Sequence, residues 1–223
     1  MVIPERKDAV IGGLIGIKAF SGSLFAEVQE SDFQQEVTIE ATPEKIEEWV
    51  LGLIELHQIC GSSDEELGAT RLLRSIVSKE DQGEIVTSTA RLVTTIATQT
   101  RDVFFPGMKD CDFLIAYFNS AINYELSKKV PKEQAIKLEL TLADAKVLTD
   151  NIIFHLLDLT FTQQNLPDGE ERTRHIIAGE LSLEGLADVA TQLKNQGLPI
   201  DSDMLGHFQE GVNTIDTMRL IGG

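Results

Sequence analysis

A β-strand followed at once by a capped helix constrains the fold of this chain more than any other feature of its sequence. Val37, Ile39 and Ala41 alternate with polar residues, which is the period of a strand with one buried face. Thr42 then offers an N-cap, and Pro43 suits the first helical position. The predicted helix ends at Gly61, and its apolar face is formed by Ile46, Trp49, Val50, Leu53, Leu56, His57 and Cys60.

The same order of signals returns near the middle of the chain. Ile136, Leu138 and Leu140 alternate with charged residues, Thr141 follows as an N-cap, and Asp144 occupies the capping-box position. The inner face of the helix that follows is predicted to contain Ala145, Leu148, Ile152, Leu156 and Leu159. The second half of the chain therefore contains a second strand and helix.

A third, weaker copy starts at Glu180, where Glu-Leu-Ser-Leu resembles the Glu-Leu-Thr-Leu that begins at Glu139. Apolar residues then continue at helical spacing as far as Gly197. Three similar starts are consistent with duplication of one unit. They are equally consistent with coincidence, because hydroxyl caps commonly follow strands.

The remaining sequence is predicted to be mostly helical. Leu24, Ala26 and Val28 alternate, so these residues and the strand at Val37 are predicted to form a hairpin, while 9–20 suits either a helix or a strand. Asp81 and Gly83 are predicted to break the helical pattern. Helices are expected at Ser63–Val77, at Ile85–Val103 before Pro106, at Cys111–Ile122, and from Asp201 or Ser202 onward.

These elements predict an α+β fold dominated by helices. We expect a small antiparallel sheet, made of a hairpin near 23–41 and a strand near 136–141, packed on a layer of about six helices. No linker rich in Pro, Gly or Ser divides the chain. Residues 1–223 are therefore expected to form a single compact domain, and the nearest candidates for a subdivision are 104–110 and 165–169.

Charge is distributed unevenly along the chain. The formal net charge is −17, and the excess of acids lies in 27–70 and 138–223, whereas 71–137 is slightly basic. Such a protein is expected to avoid nucleic acid and anionic membranes and to associate with basic partners. This pattern predicts a basic protein partner, or a multiprotein complex, and no nucleic acid.

Cysteine content and hydropathy predict a cytoplasmic protein. Cys60 and Cys111 are too few to stabilise a chain of this size with disulfides, and both lie within apolar helical patterns. Residues 9–26 are mostly apolar, but Lys18 and four glycines interrupt them, and no small-residue cleavage site follows. We therefore expect neither a membrane span nor an export signal.

No cofactor or metal motif is complete in the sequence. Ile17 stands between Gly16 and Lys18, which breaks the spacing of a phosphate-binding loop. His57 and Cys60 form one pair on an apolar helix face, whereas a structural zinc site normally has two closely spaced pairs. The aspartates at 201 and 203 lack the later ligands of a calcium loop and are expected to cap a helix. We therefore predict no cofactor and no bound metal.

The polar side of the first capped helix is the most distinctive candidate surface. The sequence favours a non-enzymatic acidic interaction module, of the adaptor, chaperone, immunity or inhibitor type, that docks a basic partner. No Gly-x-Ser-x-Gly elbow is present, and we name no catalytic residue. The predicted partner-binding face consists of Glu44, Glu47, Glu48, Glu55, Asp64, Glu65 and Glu66.

Three alternatives to this interpretation stay open at this stage. The acidic face serves solubility alone, or the protein is an enzyme or small-ligand-binding domain whose pocket near His57, Cys111 or His155 is not visible as a motif. A third alternative is a mimic of nucleic acid, against which the slightly basic middle region argues.

Overall fold

The computed structural model describes residues 17–61, 79–109, 112, 135–165, 169–207 and 210. Within these ranges the fold is helix-dominated α+β with a small antiparallel sheet, as predicted. Residues 9–16, the predicted helix at Ser63–Val77 and nearly all of the predicted helix at Cys111–Ile122 lie outside the described residues. The elements are a π-helical turn Ile17–Ser21, a helical turn Gly22–Leu24, a 3-10 helix Glu30–Gln34, β1 Glu36–Ala41, α1 Pro43–Gly61, α2 Lys79–Phe104, β2 Ile136–Thr141, α3 Leu142–Asn165, α4 Glu170–Asn195, and a helix at 202–207.

The two strands pair antiparallel, with Glu36 opposite Thr141 and Ala41 opposite Ile136. Their alternating apolar residues are buried on one face of the sheet, and their polar residues lie on the other. Across that polar face, the Thr38 hydroxyl donates to Glu139 Oε2 at 2.9 Å. Because an isolated two-stranded sheet is marginal in water, this one depends on the helices packed around it.

Both predicted strand-to-helix caps are confirmed. The Lys45 backbone N–H donates to Thr42 Oγ1 at 3.3 Å, at the start of α1. At the start of α3, the Asp144 N–H donates to Thr141 Oγ1 at 3.1 Å, and that hydroxyl donates to Asp144 Oδ2 at 2.8 Å. Each strand therefore leads directly into its helix, because the cap satisfies a backbone donor that the first turn leaves open.

The elements form two βαα units related by an approximate two-fold axis. The first unit is β1–α1–α2, and the second is β2–α3–α4. On the axis, Ile39 pairs with Leu138 in the sheet, and α1 crosses α3 where Gly52 meets Asn151. A Cβ on Gly52 would lie 3.0 Å from Asn151 Nδ2, so the two helices are in close contact there.

The second helices of the two units match in sequence as well as in burial. Ile96-Ala97-Thr98-Gln99 of α2 corresponds to Val189-Ala190-Thr191-Gln192 of α4, and the first two residues of each segment are buried. Of the two explanations for the similar starts at Val37 and Ile136, this agreement supports duplication.

Each unit covers the free strand edge of the other unit with a glutamine side chain. Gln192 accepts from the Glu40 N–H at 2.7 Å and donates to the Glu40 carbonyl at 2.9 Å. Gln196 makes the same pair of bonds to Thr38. On the opposite edge, Gln99 accepts from the Glu139 N–H at 2.8 Å and donates to the Glu139 carbonyl at 2.6 Å. We call these contacts the glutamine clamps, and they replace further strands at both edges of the sheet.

The predicted hairpin near 23–41 is wrong in its first half. Gly22–Leu24 is helical, and Glu30–Gln34 forms a 3-10 helix. A strand from these residues could not pair with β1, because β2 occupies one edge of β1 and the glutamine clamp of α4 occupies the other. Leu24 instead lies fully buried in the core, and its carbonyl accepts from the Asp201 N–H.

The predicted third strand at Glu180 is also wrong, since 180–183 lies in the middle of α4. Ser182 is buried and bonds back to the Ala178 carbonyl at 3.0 Å, so its hydroxyl belongs to a helix interior rather than to a cap. The predicted break at Asp81 and Gly83 is wrong too, because both residues lie within α2. Its end at Phe104 agrees with the stop predicted before Pro106.

The core lies between the apolar face of the sheet and the four long helices. No helix among the residues that the structure describes is long and apolar enough to span a bilayer. The expected cap at Asp201 is confirmed, because its Oδ1 accepts from the backbone N–H groups of Asp203 and Met204. Fully buried core side chains include Leu24, Ile39, Val50, Leu53, Leu92, Ile96, Leu138, Leu142, Leu148, Leu186, Val189 and Leu193.

Candidate functional site: an acidic cleft between α1 and α4

A cleft of about 490 Å³ opens between α1 and α4, and a histidine of α3 contributes to its lining. The two helices run in opposite directions along it, because Lys45 contacts Asp188 while Glu48, further along α1, contacts Ser182. We call this surface the acidic cleft. It is lined by Thr42, Glu44, Lys45, Glu47, Glu48 and Leu51 from α1 and its cap, by His155 from α3, and by Ala178, Leu181 and Glu184 from α4.

The acidic cleft has a strong excess of negative charge. Among the described residues that line it, four are glutamates and one is a lysine. Lys45 already pairs with Asp188, with Nζ 2.7 Å from Oδ2, so its charge is largely neutralised within the protein. Glu48 Oε1 accepts from the Ser182 hydroxyl at 3.0 Å, which holds that carboxylate between the two helices. The cleft is therefore suited to a cationic group.

One end of the acidic cleft is apolar. Leu51 is 58% exposed and Leu181 is 49% exposed, and both line the cleft together with Ala178. The glutamates at 44 and 184 lie toward the other end, near the sheet, because α1 and α4 run antiparallel. A surface with adjoining apolar and charged halves can bind a segment that carries both kinds of side chain.

The structure places three of the predicted face residues together in the cleft. Glu44 is exposed, and Glu47 and Glu48 are half-buried. Glu55 lies on α1, but its side chain is outside the described part of the structure. Asp64, Glu65 and Glu66 also lie outside the described residues, so their membership of this face stays a prediction.

Sequence reasoning missed the opposite wall of the cleft. Ala178, Leu181 and Glu184 were hidden by the prediction of a strand at 180–183. A helical reading of that segment puts 177, 181, 184 and 188 on one face, which is the spacing of neighbours on a helix. That periodicity was the available signal. The pairing of α4 with α1 is a tertiary contact that no local pattern contains.

The two histidines predicted to lie near a pocket, His57 and His155, lie in different parts of the structure. His155 lines the acidic cleft. His57 faces α2 instead, with Nδ1 3.1 Å from the Val86 carbonyl oxygen. Cys60 is a free, buried thiol, and desolvation raises its pKa to about 11. Cys111 is outside the described residues, and within the described ranges no three His, Cys, Asp or Glu side chains are grouped to hold a metal ion.

The two-fold axis gives the acidic cleft a counterpart in the second unit. Lys45 corresponds to Asp144, Glu47 to Lys146, Leu51 to Asp150, and Glu184 to Arg91. In the counterpart, Arg91 Nη2 and Nε donate to Asp144 Oδ1 at 2.7 and 3.0 Å. Lys146 Nζ lies 2.8 Å from Asp150 Oδ2. We call Arg91, Asp144, Lys146 and Asp150 the paired surface, because each of these charged side chains forms an ion pair with another of the four.

No family model, curated protein or solved structure matches this chain. Any indication of function therefore comes from the geometry and charge of the acidic cleft.

Proposed function

We propose that the protein is a non-enzymatic interaction module that docks a basic protein partner in the acidic cleft. One observation carries this proposal: Glu44 and Glu184 line the cleft together with exposed leucines, whereas the equivalent paired surface contains its own compensating cations. An adaptor, chaperone, immunity protein or inhibitor would use such a surface. The free thiol of Cys60 is in keeping with the reducing cytoplasm as its compartment.

The physical role of the glutamates is to select the partner and to speed association. Each exposed ion pair contributes only about 0.2–1 kcal/mol, so no single carboxylate holds the complex. Several carboxylates on one face create a field that attracts a basic surface from beyond contact distance, and salt screens this field. The complex should therefore form faster at low ionic strength than at high.

The test compares two variants that lose the same amount of charge. Glu44→Gln with Glu184→Gln removes two carboxylates from the acidic cleft, and Glu36→Gln with Glu84→Gln removes two exposed carboxylates elsewhere. Each variant, immobilised, is exposed to extract of the native host at low salt, and the retained proteins are identified by mass spectrometry. We expect a basic protein on the wild type and on the control variant, and less of the same protein on the cleft variant.

A second step makes this assay quantitative. Each retained protein is purified, and its association rate with the two variants is measured at several salt concentrations. A partner that binds both variants equally, or a wild-type protein that retains no basic partner even at low salt, would contradict the proposal.

A further inference from the structure

We propose that the segment bound in the acidic cleft is an amphipathic helix of the partner. Its apolar side chains would contact Leu51 and Leu181, and its arginines would lie at the end marked by Glu44 and Glu184. This inference rests on the proposed function and adds the secondary structure, the order of side chains and the kind of cation.

The glutamine clamps argue for a helix rather than an extended peptide. An extended segment gains affinity by adding a strand to a sheet edge. Here Gln192 and Gln196 already bond to the outer edge of β1, and Gln99 bonds to the outer edge of β2. The walls of the cleft are helices, whose backbone groups are bonded internally. A bound segment must therefore satisfy its own backbone, as a helix does.

The paired surface shows how a surface carboxylate of this fold is bound by a cation. There Arg91 projects from α2 and places two guanidinium nitrogens on one oxygen of Asp144. The position equivalent to Arg91 is Glu184, which lines the acidic cleft. A guanidinium is planar and suits carboxylates better than an ammonium group does. The partner's arginines are therefore placed at Glu44 and Glu184, away from Lys45, which stands where the second unit has Asp144.

The length of the cleft limits the bound segment. From Thr42 to Leu51 the wall formed by α1 extends about 14 Å at the helical rise per residue. A helix of about three turns covers that distance and brings side chains three and four residues apart onto one face. The recognised element is therefore short, with one or two apolar residues followed by arginines on the same face.

Three synthetic peptides of identical composition test this inference on the full chain. The first is helical, with leucines and then arginines along one face. The second has the same residues in an order without amphipathic periodicity. The third keeps the first order but has two D-residues at its centre, which break the helix. Binding is measured by fluorescence anisotropy at physiological salt, with the wild-type protein and with the Glu44→Gln and Glu184→Gln double variant.

We expect the first peptide to bind about tenfold more tightly than the other two, and the double variant to lose about tenfold of that affinity. A leucine test is added with Leu51→Ser and Leu181→Ser, against Val103→Ser and Ile176→Ser as exposed apolar controls. The cleft pair should weaken the first peptide about tenfold, and the control pair should leave it unchanged.

The outcomes separate the two proposals. If all three peptides bind equally and all depend on the cleft glutamates, a basic partner is still supported but the helix is excluded. If no peptide responds to the double variant, the proposed function fails as well. If the first peptide binds with the expected preference but the Val103→Ser and Ile176→Ser control weakens it as much as the Leu51→Ser and Leu181→Ser variant does, the helix binds elsewhere and the inference is overturned.

Discussion

The two βαα units share a backbone plan but differ in the charges placed on it. Asp144 and Arg91 of the paired surface bond to one another, whereas their counterparts in the acidic cleft are Lys45 and Glu184, which do not. Lys45 pairs with Asp188 instead, and Glu44 and Glu184 line the same cleft as two exposed leucines. The two units therefore present equivalent surfaces, and of these the acidic cleft has the excess of carboxylates among its described lining residues.

The largest change in stability is expected from substitutions of the two residues that pair on the two-fold axis. We expect Ile39→Ala and Leu138→Ala each to lower the free energy of unfolding by about 2–5 kcal/mol, because both side chains are fully buried and pair across the sheet. Urea unfolding is followed by circular dichroism and by fluorescence of Trp49, the only tryptophan. A separate transition for each unit, or a Trp49 signal unmoved by Leu138→Ala, would show that the units do not unfold together.

The helix crossing on the same axis should be the next most sensitive position. Gly52→Val is expected to lower the free energy of unfolding by about 1–3 kcal/mol, because its Cβ would lie 3.0 Å from Asn151 Nδ2. Gly179→Ala is the matched control, since the nearest atom to its Cβ is Leu156 Cδ1 at 4.0 Å. That control should be neutral or stabilising by up to about 1 kcal/mol. Equal urea midpoints for the two variants would contradict the close approach of α1 and α3.

Local sequence signals were sufficient for the parts of this fold that depend on neighbouring residues. The alternation at Val37 and Ile136 and the hydroxyl caps at Thr42 and Thr141 define strands and helix starts within one turn. The segment at Glu180 misled the interpretation because Glu-Leu-Ser-Leu is compatible with a strand as well as a helix, and the rest of α4 decides between them. The clamps and the α4 wall of the cleft join residues far apart in the chain, so local patterns could not reveal them.

Cys60 breaks the symmetry chemically, because its counterpart in the second unit is the apolar Leu159. Burial raises the pKa of the Cys60 thiol from 9.0 to about 11, so the folded state favours the protonated form. The associated stability is present below pH 9 and is lost as the pH rises through 11, by about 2 kcal/mol.

Urea unfolding at pH 8 to 11 checks this expectation by comparing wild type with Cys60→Ala. The difference between the two proteins isolates the thiol from lysines and tyrosines that titrate in the same range. We expect the wild type to lose more stability than the variant over this interval. Parallel curves for the two proteins would mean that the thiol is not desolvated in the fold.

Loss of a glutamine clamp should destabilise the fold in either unit. Gln99→Ala and Gln192→Ala each remove two hydrogen bonds to a strand edge and should cost about 1 kcal/mol. Gln192→Ala should cost less than Gln99→Ala, because Gln196 still holds β1. Amide hydrogen exchange gives the site-specific readout: the Glu139 N–H should exchange faster in the first variant and the Glu40 N–H in the second. Unchanged protection of both amides would exclude the clamps in solution.

The smallest effect on stability should come from making the acidic cleft resemble the paired surface. Glu184→Arg introduces the residue type of Arg91 at its equivalent position, and it should change the free energy of unfolding by less than about 0.5 kcal/mol because the side chain lies at the protein surface. Its effect on binding should be large, since the variant loses one carboxylate of the cleft and the new guanidinium repels an incoming cation. Glu84→Arg, on the exposed face of α2, changes the net charge by the same amount and serves as the control.

If both variants weaken the binding of a basic partner equally, overall charge governs association and the two surfaces do not differ in function. If Glu184→Arg alone abolishes binding while the protein stays folded, the charges of the cleft determine partner choice, because the two units otherwise share one architecture.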